Sequence, residues 1–290
     1  MTNKILMFIF ATFISTMSLA ATSKPIIAEY FGIWTEHGQA WEDKFRPDAP
    51  FNQLNRLYIS FGKLIKTADG HFSLDFDGDA KHAQDLIMRM KKVNPTAEIF
   101  LIAGGDGRSD SYGGAANDTK FAENVRLFLE KYGFDGFDID WEASLNKTNL
   151  NNLVTHLYTE LHPKGYQLTL DVWPFVSTAY DVNVLKNNLD QMNIMSYGAN
   201  RDLGMIVNHF EKAGFPANQL IGGIETETGY YDVTDTLGAN GSIAKKSAFA
   251  KEHGLAGMMG WRMDNDNAAK DRPNYPTYQG AIELWKCMSL

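Results

Sequence analysis

The stretch Asp135-Gly136-Phe137-Asp138-Ile139-Asp140-Trp141-Glu142 alternates acidic side chains with large apolar ones. Successive side chains of a β-strand point to opposite faces, so the acids at 138, 140 and 142 share one face and the apolar residues share the other. Such apolar residues indicate a central, buried strand. We therefore predict a strand over Gly133–Asp140 whose apolar face packs on helices and whose acids point inward.

The sequence on both sides of this strand alternates short β-branched and aromatic runs with segments of helical spacing. Seven further strands are predicted: Ile26–Phe31, Arg56–Phe61, Ala97–Ala103, Gln167–Trp173, Gln191–Tyr197, Gln219–Ile224 and Gly254–Trp261. Apolar residues at helical spacing predict helices at Ala83–Val93, Phe121–Tyr132, Leu150–Leu161, Leu203–Lys212, Ser242–Glu252 and Thr277–Ser289.

Strand followed by helix, eight times over about 240 residues, is typical of an α/β protein with a (β/α)8 TIM barrel. The alternative is a doubly wound open sheet, which would leave two edge strands, and none of the predicted strands is suited to an edge. In a barrel, functional residues lie at the carboxyl ends of the strands. The stretch from Gln219 to Gly254 is too short for a large insertion domain, which favours a shallow groove.

Composition excludes several classes of protein. The chain has 290 residues, with 27 Lys and Arg against 35 Asp and Glu, and a formal net charge of −8. This balance excludes a nucleic-acid-binding protein that relies on general basicity. The apolar fraction of 44% excludes a disordered chain, and the single cysteine, Cys287, excludes a disulfide scaffold.

The first twenty residues have the pattern of a cleaved secretory signal peptide. Lys4 precedes an apolar run from Ile5 to Ile14, and Ser18-Leu19-Ala20 supplies small residues for cleavage. Thr12 and Ser15 interrupt the run, so we expect no membrane anchor. We predict a signal peptide over residues 1–20, one barrel domain over 21–290, and a secreted or periplasmic protein.

The inward-facing acids predict proton chemistry. Burial and like charge both raise carboxyl pKa values, so Asp138, Asp140 and Glu142 should retain at least one proton among them near neutral pH. Glu142 has the longest side chain and lies furthest along the strand, which makes it the candidate general acid. Two alternatives stay open: the acids are simply solvated, or they bind a hard cation such as Mg²⁺ or Ca²⁺.

A second group of acids, Asp75, Asp77 and Asp79, partly matches a calcium-binding loop. Ala80 stands where that loop needs glycine, and Leu86 where it needs the closing glutamate. We therefore expect a solvated turn here and no metal site.

The stretch Asp135–Glu142 resembles the D-G-x-D-x-D-x-E signature of family 18 glycoside hydrolases, which include chitinases and endo-β-N-acetylglucosaminidases. Phe100–Gly105 is similar to the family's S-x-G-G strand, with Ala103 in place of the serine. Met192–Gly198 is similar to its M-x-Y-D strand, with Gly198 in place of the aspartate. Gly257–Trp261 ends the eighth strand with the family's tryptophan.

The resemblance implies cleavage of β-1,4 bonds after N-acetylglucosamine by substrate assistance. In that reaction the sugar's own acetamido oxygen attacks the anomeric carbon, and the configuration is retained. Glu142 would protonate the leaving oxygen and later activate water, and Asp140 would orient the acetamido N–H. Asp138 would share a proton with Asp140, and Tyr197 would donate a hydrogen bond to the acetamido carbonyl. No cofactor is implied.

The resemblance also implies residues that bind the sugar. Trp261 should form an apolar floor under it, and the other predicted substrate-binding residues are Tyr30, Trp34, Trp173 and Met195. Large aromatic residues also dominate protein cores, so packing is the alternative for each aromatic residue. Packing is the expectation for Trp141 and Trp285.

Two departures from the family pattern bear on activity. Gly198 removes an acid, so the rate or the choice of substrate should differ. The seventh strand ends with Glu225 and Glu227, where many chitinases carry aromatic and basic residues. Glu225 either contacts substrate or lies at the surface, and we expect Glu227 to be a surface acid.

These observations predict a secreted, monomeric, endo-acting chitinase that binds a polysaccharide or oligosaccharide of N-acetylglucosamine, without a cofactor or nucleic acid. One alternative keeps the chemistry but acts on N-glycans or peptidoglycan. The other is a non-catalytic chitin-binding lectin on the same barrel, because a fold does not dictate a function. The presence of Glu142 favours an enzyme.

Overall fold

The computed structural model describes residues 24–35, 38–227, 234–267 and 275–289. The predicted signal peptide lies outside these residues. Within them, no helix is long and apolar enough to cross a membrane.

Eight parallel strands of the described chain close into a barrel. The described strands are β1 (Ile26–Gly32), β2 (Arg56–Lys66), β3 (Phe72–Phe76), β4 (Glu98–Gly104), β5 (Gly136–Asp140), β6 (Gln167–Val172), β7 (Gln191–Ile194), β8 (Leu220–Glu225) and β9 (Gly257–Trp261), of which the antiparallel β3 lies outside the barrel. The barrel strands are ordered β1-β9-β8-β7-β6-β5-β4-β2, and β1 pairs with β2 to complete the circle. The predicted (β/α)8 barrel is confirmed, and the open-sheet alternative is wrong because the two terminal strands pair with each other.

Helices surround the barrel. They are α1 (Trp41–Lys44), α2 (Ala80–Val93), α3 (Tyr112–Ala115), α4 (Phe121–Tyr132), α5 (Lys147–Leu161), α6 (Val182–Asn188), α7 (Leu203–Ala213), α8 (Ser242–Glu252) and α9 (Gln279–Ser289). The six predicted helices correspond to α2, α4, α5, α7, α8 and α9, whereas α1, α3 and α6 were not predicted. The strand predicted from Gly133 begins instead at Gly136, because Gly133 ends α4 with a left-handed φ of 78°. Among the described residues between β8 and β9, α8 is the only helix or strand.

Strand β3 is the one described strand that the sequence analysis did not predict. It pairs antiparallel with the extended end of β2, where Lys63 lies opposite Asp75. Asp75 therefore lies in a strand, and the expectation of a solvated turn over the three acids was wrong at that position. Asp77 follows β3 and forms ion pairs with Lys63 at 4.0 Å and Arg108 at 3.2 Å.

The apolar core has two layers, one outside the barrel and one inside it. The larger layer lies between barrel and helices and includes Phe137, Ile139 and Trp141, the apolar face of the acidic stretch. The smaller layer fills the barrel and includes Tyr30, Tyr58 and Phe100. Trp285 packs against the outer layer, as expected.

A polar layer closes the bottom of the barrel. The guanidinium of Arg56 is buried there and donates to Glu98, Gln167 and Gln191 at 2.6 to 2.9 Å. The fifth N–H of the guanidinium donates to Tyr58 Oη at 3.2 Å, so all five donors are used and Arg56, at 1% exposure, fills the bottom of the barrel. Access is therefore from the opposite end, where the carboxyl ends of the strands lie.

Candidate active site

A cavity of about 580 Å³ opens at the carboxyl ends of the barrel strands. It is lined by Trp34, Phe61, Asp106, Arg108, Asp140, Glu142, Asp171, Trp173, Met195, Tyr197, Glu227, Trp261 and Arg262. This volume and this mixture of aromatic walls with a few converging polar groups are typical of small-ligand sites.

The acids of β5 rise from the barrel interior to this cavity in the order that the strand alternation predicts. Asp138 is fully buried, Asp140 is 4% exposed, and Glu142 is half-buried just beyond the end of the strand. Asp140 and Glu142 line the cavity, and Asp138 lies beneath them. The three carboxyls therefore form a file with Glu142 nearest to an entering ligand.

Asp138 is held by donors from three other strands. Thr169 Oγ1 donates to its Oδ1 at 2.5 Å, Tyr30 Oη approaches its Oδ2 at 3.0 Å, and Asn193 Nδ2 donates to both oxygens at 3.3 Å. Burial raises the pKa of Asp138 to about 6, and the hydrogen bonds from Thr169 and Tyr30 oppose that rise. Ala103, expected to replace the serine of the S-x-G-G strand, packs instead in the outer layer. Ile102, one residue earlier, lies opposite Asp138 on the inward face of β4, and the hydroxyl comes from Thr169 on β6.

Asp140 is the most crowded acid of the file. Burial raises its pKa well above the usual value, and the charges of Glu142 and Asp138 raise it further. Its Oδ1 is buried and has no hydrogen-bond partner. Burial, followed by the charge of Asp106, also raises the pKa of Glu142. A proton is therefore retained by the Asp140 and Glu142 pair, as a general acid requires.

The loop after β4 positions the upper part of the file. Gly104 has a φ of 111°, and a Cβ there would lie 2.0 Å from the carbonyl oxygen of Asp140, so only glycine allows β4 and β5 to approach this closely. The buried Ser109 Oγ accepts from the backbone N–H groups of Glu142 and Ala143 at 3.2 and 3.1 Å. These contacts fix where Glu142 leaves the strand.

Trp261 forms one wall of the cavity, and its ring rests on Tyr30 and Phe61 at centroid distances of 5.5 and 5.7 Å. Its Nε1 donates to Glu227 Oε2 at 2.9 Å. Glu227 Oε1 accepts from Arg262 Nη2 at 2.7 Å and from Asn265 Nδ2 at 2.9 Å. This network holds the ring in one orientation.

Glu227 was expected at the surface, and that prediction was wrong. The residue is 5% exposed because it comes after β8, where it is enclosed by Trp261 and Arg262 from the end of β9. Glu225 is fully buried as well, and burial, with the nearby charge of Glu227, raises its pKa to about 9. Glu225 therefore remains neutral at pH 7 and is not a surface acid.

Four of the five residues predicted to bind substrate lie in the cavity wall: Trp34, Trp173, Met195 and Trp261. Tyr30 does not. Its ring is fully buried below the cavity and stacks on Tyr58 at 4.5 Å, while its hydroxyl contacts acids. Tyr30 was predicted in the cleft because it lies near the end of β1, but its side chain points into the barrel, below the cavity.

Tyr197 also lines the cavity, as predicted for a residue that contacts the acetamido group. Its hydroxyl lies 3.8 Å from the sulfur of Met259. A Cβ on Gly223 would lie 2.9 Å from the Tyr197 ring, so this glycine makes room for the phenol. The ring is thereby held on the wall that β7 and β8 supply.

Gly198 has a structural role of its own. Its φ is 101°, a conformation that side chains disfavour, and its N–H donates to the buried Asp235 Oδ2 at 3.0 Å. Lys246 Nζ donates to the Gly198 carbonyl at 2.9 Å and to Asp235 Oδ2 at 3.0 Å. An aspartate at 198 would therefore be strained, and a buried acid from another loop lies beneath that position.

Asp171, Asp106 and Arg108 also line the cavity, although none of them was predicted as a site residue. Asp171 follows Thr169 on the inward face of β6, so the alternation of that strand could have revealed it. Asp106 and Arg108 lie in a loop, where no periodicity marks the facing side. Among the described residues, no group of three or more His, Cys, Asp or Glu is arranged to hold a metal ion.

Comparison with known proteins agrees with this geometry. The model of the family Glycosyl hydrolases family 18 matches residues 26–231. Probable chitinase 2 of Drosophila melanogaster is 26% identical over 208 residues, which are 62% of this chain and 42% of that protein. The match thus spans less than half the length of this relative.

Solved structures that share the fold include a chitinase and a chitinase-like agglutinin. A mutant class V chitinase from Nicotiana tobaccum in complex with NAG4 superposes with a TM-score of 0.72 at 17% identity, over 92% of this chain and 99% of that one. The chitinase-like agglutinin RobpsCRA from Robinia pseudoacacia gives 0.72 at 15% identity, over 91% and 99%. Since the family model matches well over half of the sequence, this chain belongs to glycosyl hydrolase family 18.

Proposed function

We propose that this protein is a retaining glycoside hydrolase that cleaves β-1,4 bonds of N-acetylglucosamine-containing glycans, chitin or its oligosaccharides, by substrate assistance. The observation that carries the proposal is the file of Asp138, Asp140 and Glu142, which ends in a half-buried carboxyl of raised pKa at the cavity. A carboxyl of this kind keeps a proton for a leaving alcohol near the pH at which it works.

Other residues of the cavity suit the binding of the acetamido group, whose oxygen is the nucleophile of this reaction. Asp140 has a buried oxygen without a partner, which is free to accept from the N–H of an acetamido group. Tyr197, which lines the cavity after β7, two strands from β5, can donate to the acetamido carbonyl. The Trp261 ring offers an apolar surface to one face of the sugar. The acetamido oxygen then attacks the anomeric carbon while Glu142 transfers its proton to the departing oxygen.

We also propose that the protein is secreted, as the signal-peptide pattern of residues 1–20 predicts, and that it cleaves bonds within the glycan chain (endo action). The open end of the barrel carries aromatic residues on opposite sides of the acids, Trp34 on one and Trp173 on the other. Sugars can therefore extend in both directions from the cleaved bond. The native polymer is taken to be chitin, and the chitobiose core of N-glycans or peptidoglycan is the alternative within the same chemistry.

A second candidate, a sugar-binding protein without turnover, is supported by the fold shared with the agglutinin RobpsCRA. The retained Glu142 and the supports around it favour an enzyme, because binding alone needs no carboxyl of raised pKa.

The test uses chitotetraose and a high-mannose glycoprotein as separate substrates, with products followed by mass. We expect the wild type to shorten chitotetraose and Glu142→Gln to bind it with similar affinity by calorimetry but not to cleave it. Glu160→Gln, a surface control, should behave as the wild type. Binding without cleavage by the wild type would establish the lectin alternative, and release of the glycan from the glycoprotein alone would change the substrate class.

A further inference from the structure

A fourth carboxyl, that of Asp171, adjoins the file from the neighbouring strand β6. It is 5% exposed and lines the cavity. Its Oδ1 lies 2.7 Å from the hydroxyl oxygen of Tyr30, which lies 3.0 Å from Oδ2 of Asp138. One phenol therefore lies within hydrogen-bond distance of two carboxyls.

Counting hydrogens restricts the charges of these two acids. A phenol carries a single hydrogen and can donate to one carboxylate only. Asn193 Nδ2 already donates to the same phenol oxygen at 3.0 Å, which leaves room for one more donor. The second carboxyl contact is favourable only if that carboxyl supplies its own hydrogen. Either Asp138 or Asp171 is therefore a neutral acid.

The surroundings assign the proton to Asp171. Tyr30 and Asn193 lie within reach of both acids, but Asp138 also accepts from Thr169 Oγ1 at 2.5 Å, a donor that suits an anion. Burial, with the charges of Asp138 and Asp140, raises the pKa of Asp171 well above its usual value, whereas that of Asp138 rises to about 6. Burial also raises the pKa of Tyr30, so the phenol keeps its hydrogen.

Among the residues that the structure describes, the groups that face Asp171 include no cation to balance its charge. They are acids, phenols and one amide: Asp138 and Asp140 on β5, Tyr30 on β1, Asn193 on β7, Tyr112 on α3 and Tyr180 after β6. The two arginines of the cavity wall are engaged elsewhere, Arg108 with Asp77 at 3.2 Å and Arg262 with Glu227 at 2.7 Å. Ionisation of Asp171 would therefore add an unbalanced charge.

We propose, resting on the proposed function, that Asp171 is a positioning residue. Its carboxyl is protonated and donates a hydrogen bond to the Tyr30 hydroxyl oxygen, so that the phenol hydrogen points to Asp138. Asp138 then stays anionic and oriented, able to take the proton that it shares with Asp140 in the proposed reaction. When Asp171 loses its proton at higher pH, the phenol hydrogen is drawn to the new anion and Asp138 loses that support. The alkaline limit of activity is then set in part by Asp171.

The test compares the wild type with Asp171→Asn, whose amide N–H permanently replaces the acid hydrogen. Asp85→Asn on the outer helix α2, where the side chain is 19% exposed and pairs with Lys81 at 2.9 Å, is the control outside the barrel. A neutral acid in the folded state loses its contribution to stability as pH rises, because the unfolded chain ionises first. The melting temperature of D171N should therefore rise relative to the wild type between pH 5 and pH 8, by about 5 °C. D85N should show no such trend.

Activity gives the second readout. The alkaline limb of kcat/KM on chitotetraose should move to higher pH by at least about one unit in D171N, and much less when Tyr30→Phe is also present. An unchanged limb overturns the positioning role. A melting difference that does not vary with pH overturns the proton assignment, and this arm decides even if the wild type hydrolyses nothing.

Should D171N fail to fold, carboxyl ¹³C spectra of aspartate-labelled wild type and Tyr30→Phe decide. A carboxyl that is protonated at pH 7 and shifts in Y30F supports the proposal. Spectra in which no protonated carboxyl responds to Y30F overturn it.

Discussion

Replacing Glu227 with glutamine removes the acceptor that holds Trp261 in place. The carboxylate accepts from Trp261 on one oxygen and from Arg262 and Asn265 on the other. A glutamine has one oxygen, so in either orientation its NH₂ group faces a donor. Losing a hydrogen bond to a charged group and leaving a buried donor unpaired together cost about 3 kcal/mol of unfolding free energy. That corresponds to a fall in Tm of about 6–10 °C.

The assay pairs thermal unfolding with hydrolysis of chitotetraose. Glu160→Gln is the control, because Glu160 also accepts from two cations, Arg126 at 2.6 Å and Lys164 at 3.1 Å, but its side chain is 29% exposed. Screening limits its loss to below about 1 kcal/mol. We expect E227Q to lower kcat/KM about tenfold because the Trp261 ring loses its anchor. Equal melting temperatures for E227Q and E160Q would refute the buried network.

Two further predictions concern the same region. Burial raises the pKa of Glu225 to about 9, whereas the unfolded group ionises near its ordinary 4.5. The melting temperature of the wild type should therefore fall as pH rises from about 5 to about 9. Glu225→Gln should make that fall smaller. Parallel curves for the two proteins would contradict the neutral state of Glu225. Trp261→Ala should lower kcat/KM on chitotetraose about 30-fold, a loss of about 2 kcal/mol of transition-state stabilisation. Trp261→Phe should recover most of that loss, because a phenyl ring also offers a stacking surface. An alanine variant with normal kcat/KM would exclude that role.

The alternation rule predicted the file of acids correctly because it depends on one strand alone. Phe137, Ile139 and Trp141 require burial, and a strand that buries one face outside a barrel must direct the other face inward. The end of the strand then faces the cavity. Local sequence was sufficient for Glu142.

The rest of the site depends on contacts between distant strands. Glu227 resembles a surface acid until Arg262, 35 residues away, is brought against it by the pairing of β8 with β9. Tyr30 was expected in the cleft, but its depth is set by the stagger of β1 against β2, which no single strand reveals. Asp171 does carry a local signal, because it lies two residues after Thr169 on the same face of one strand.

The central claim is that Glu142 donates a proton to the leaving oxygen, and the dependence of the Glu142→Gln defect on the leaving group tests it most directly. A sugar hydroxyl needs a proton to depart, whereas 2,4-dinitrophenolate does not. The account predicts that E142Q lowers kcat/KM about a thousandfold on chitotetraose but less than about tenfold on the 2,4-dinitrophenyl glycoside of chitobiose. Equal losses on both substrates would contradict it.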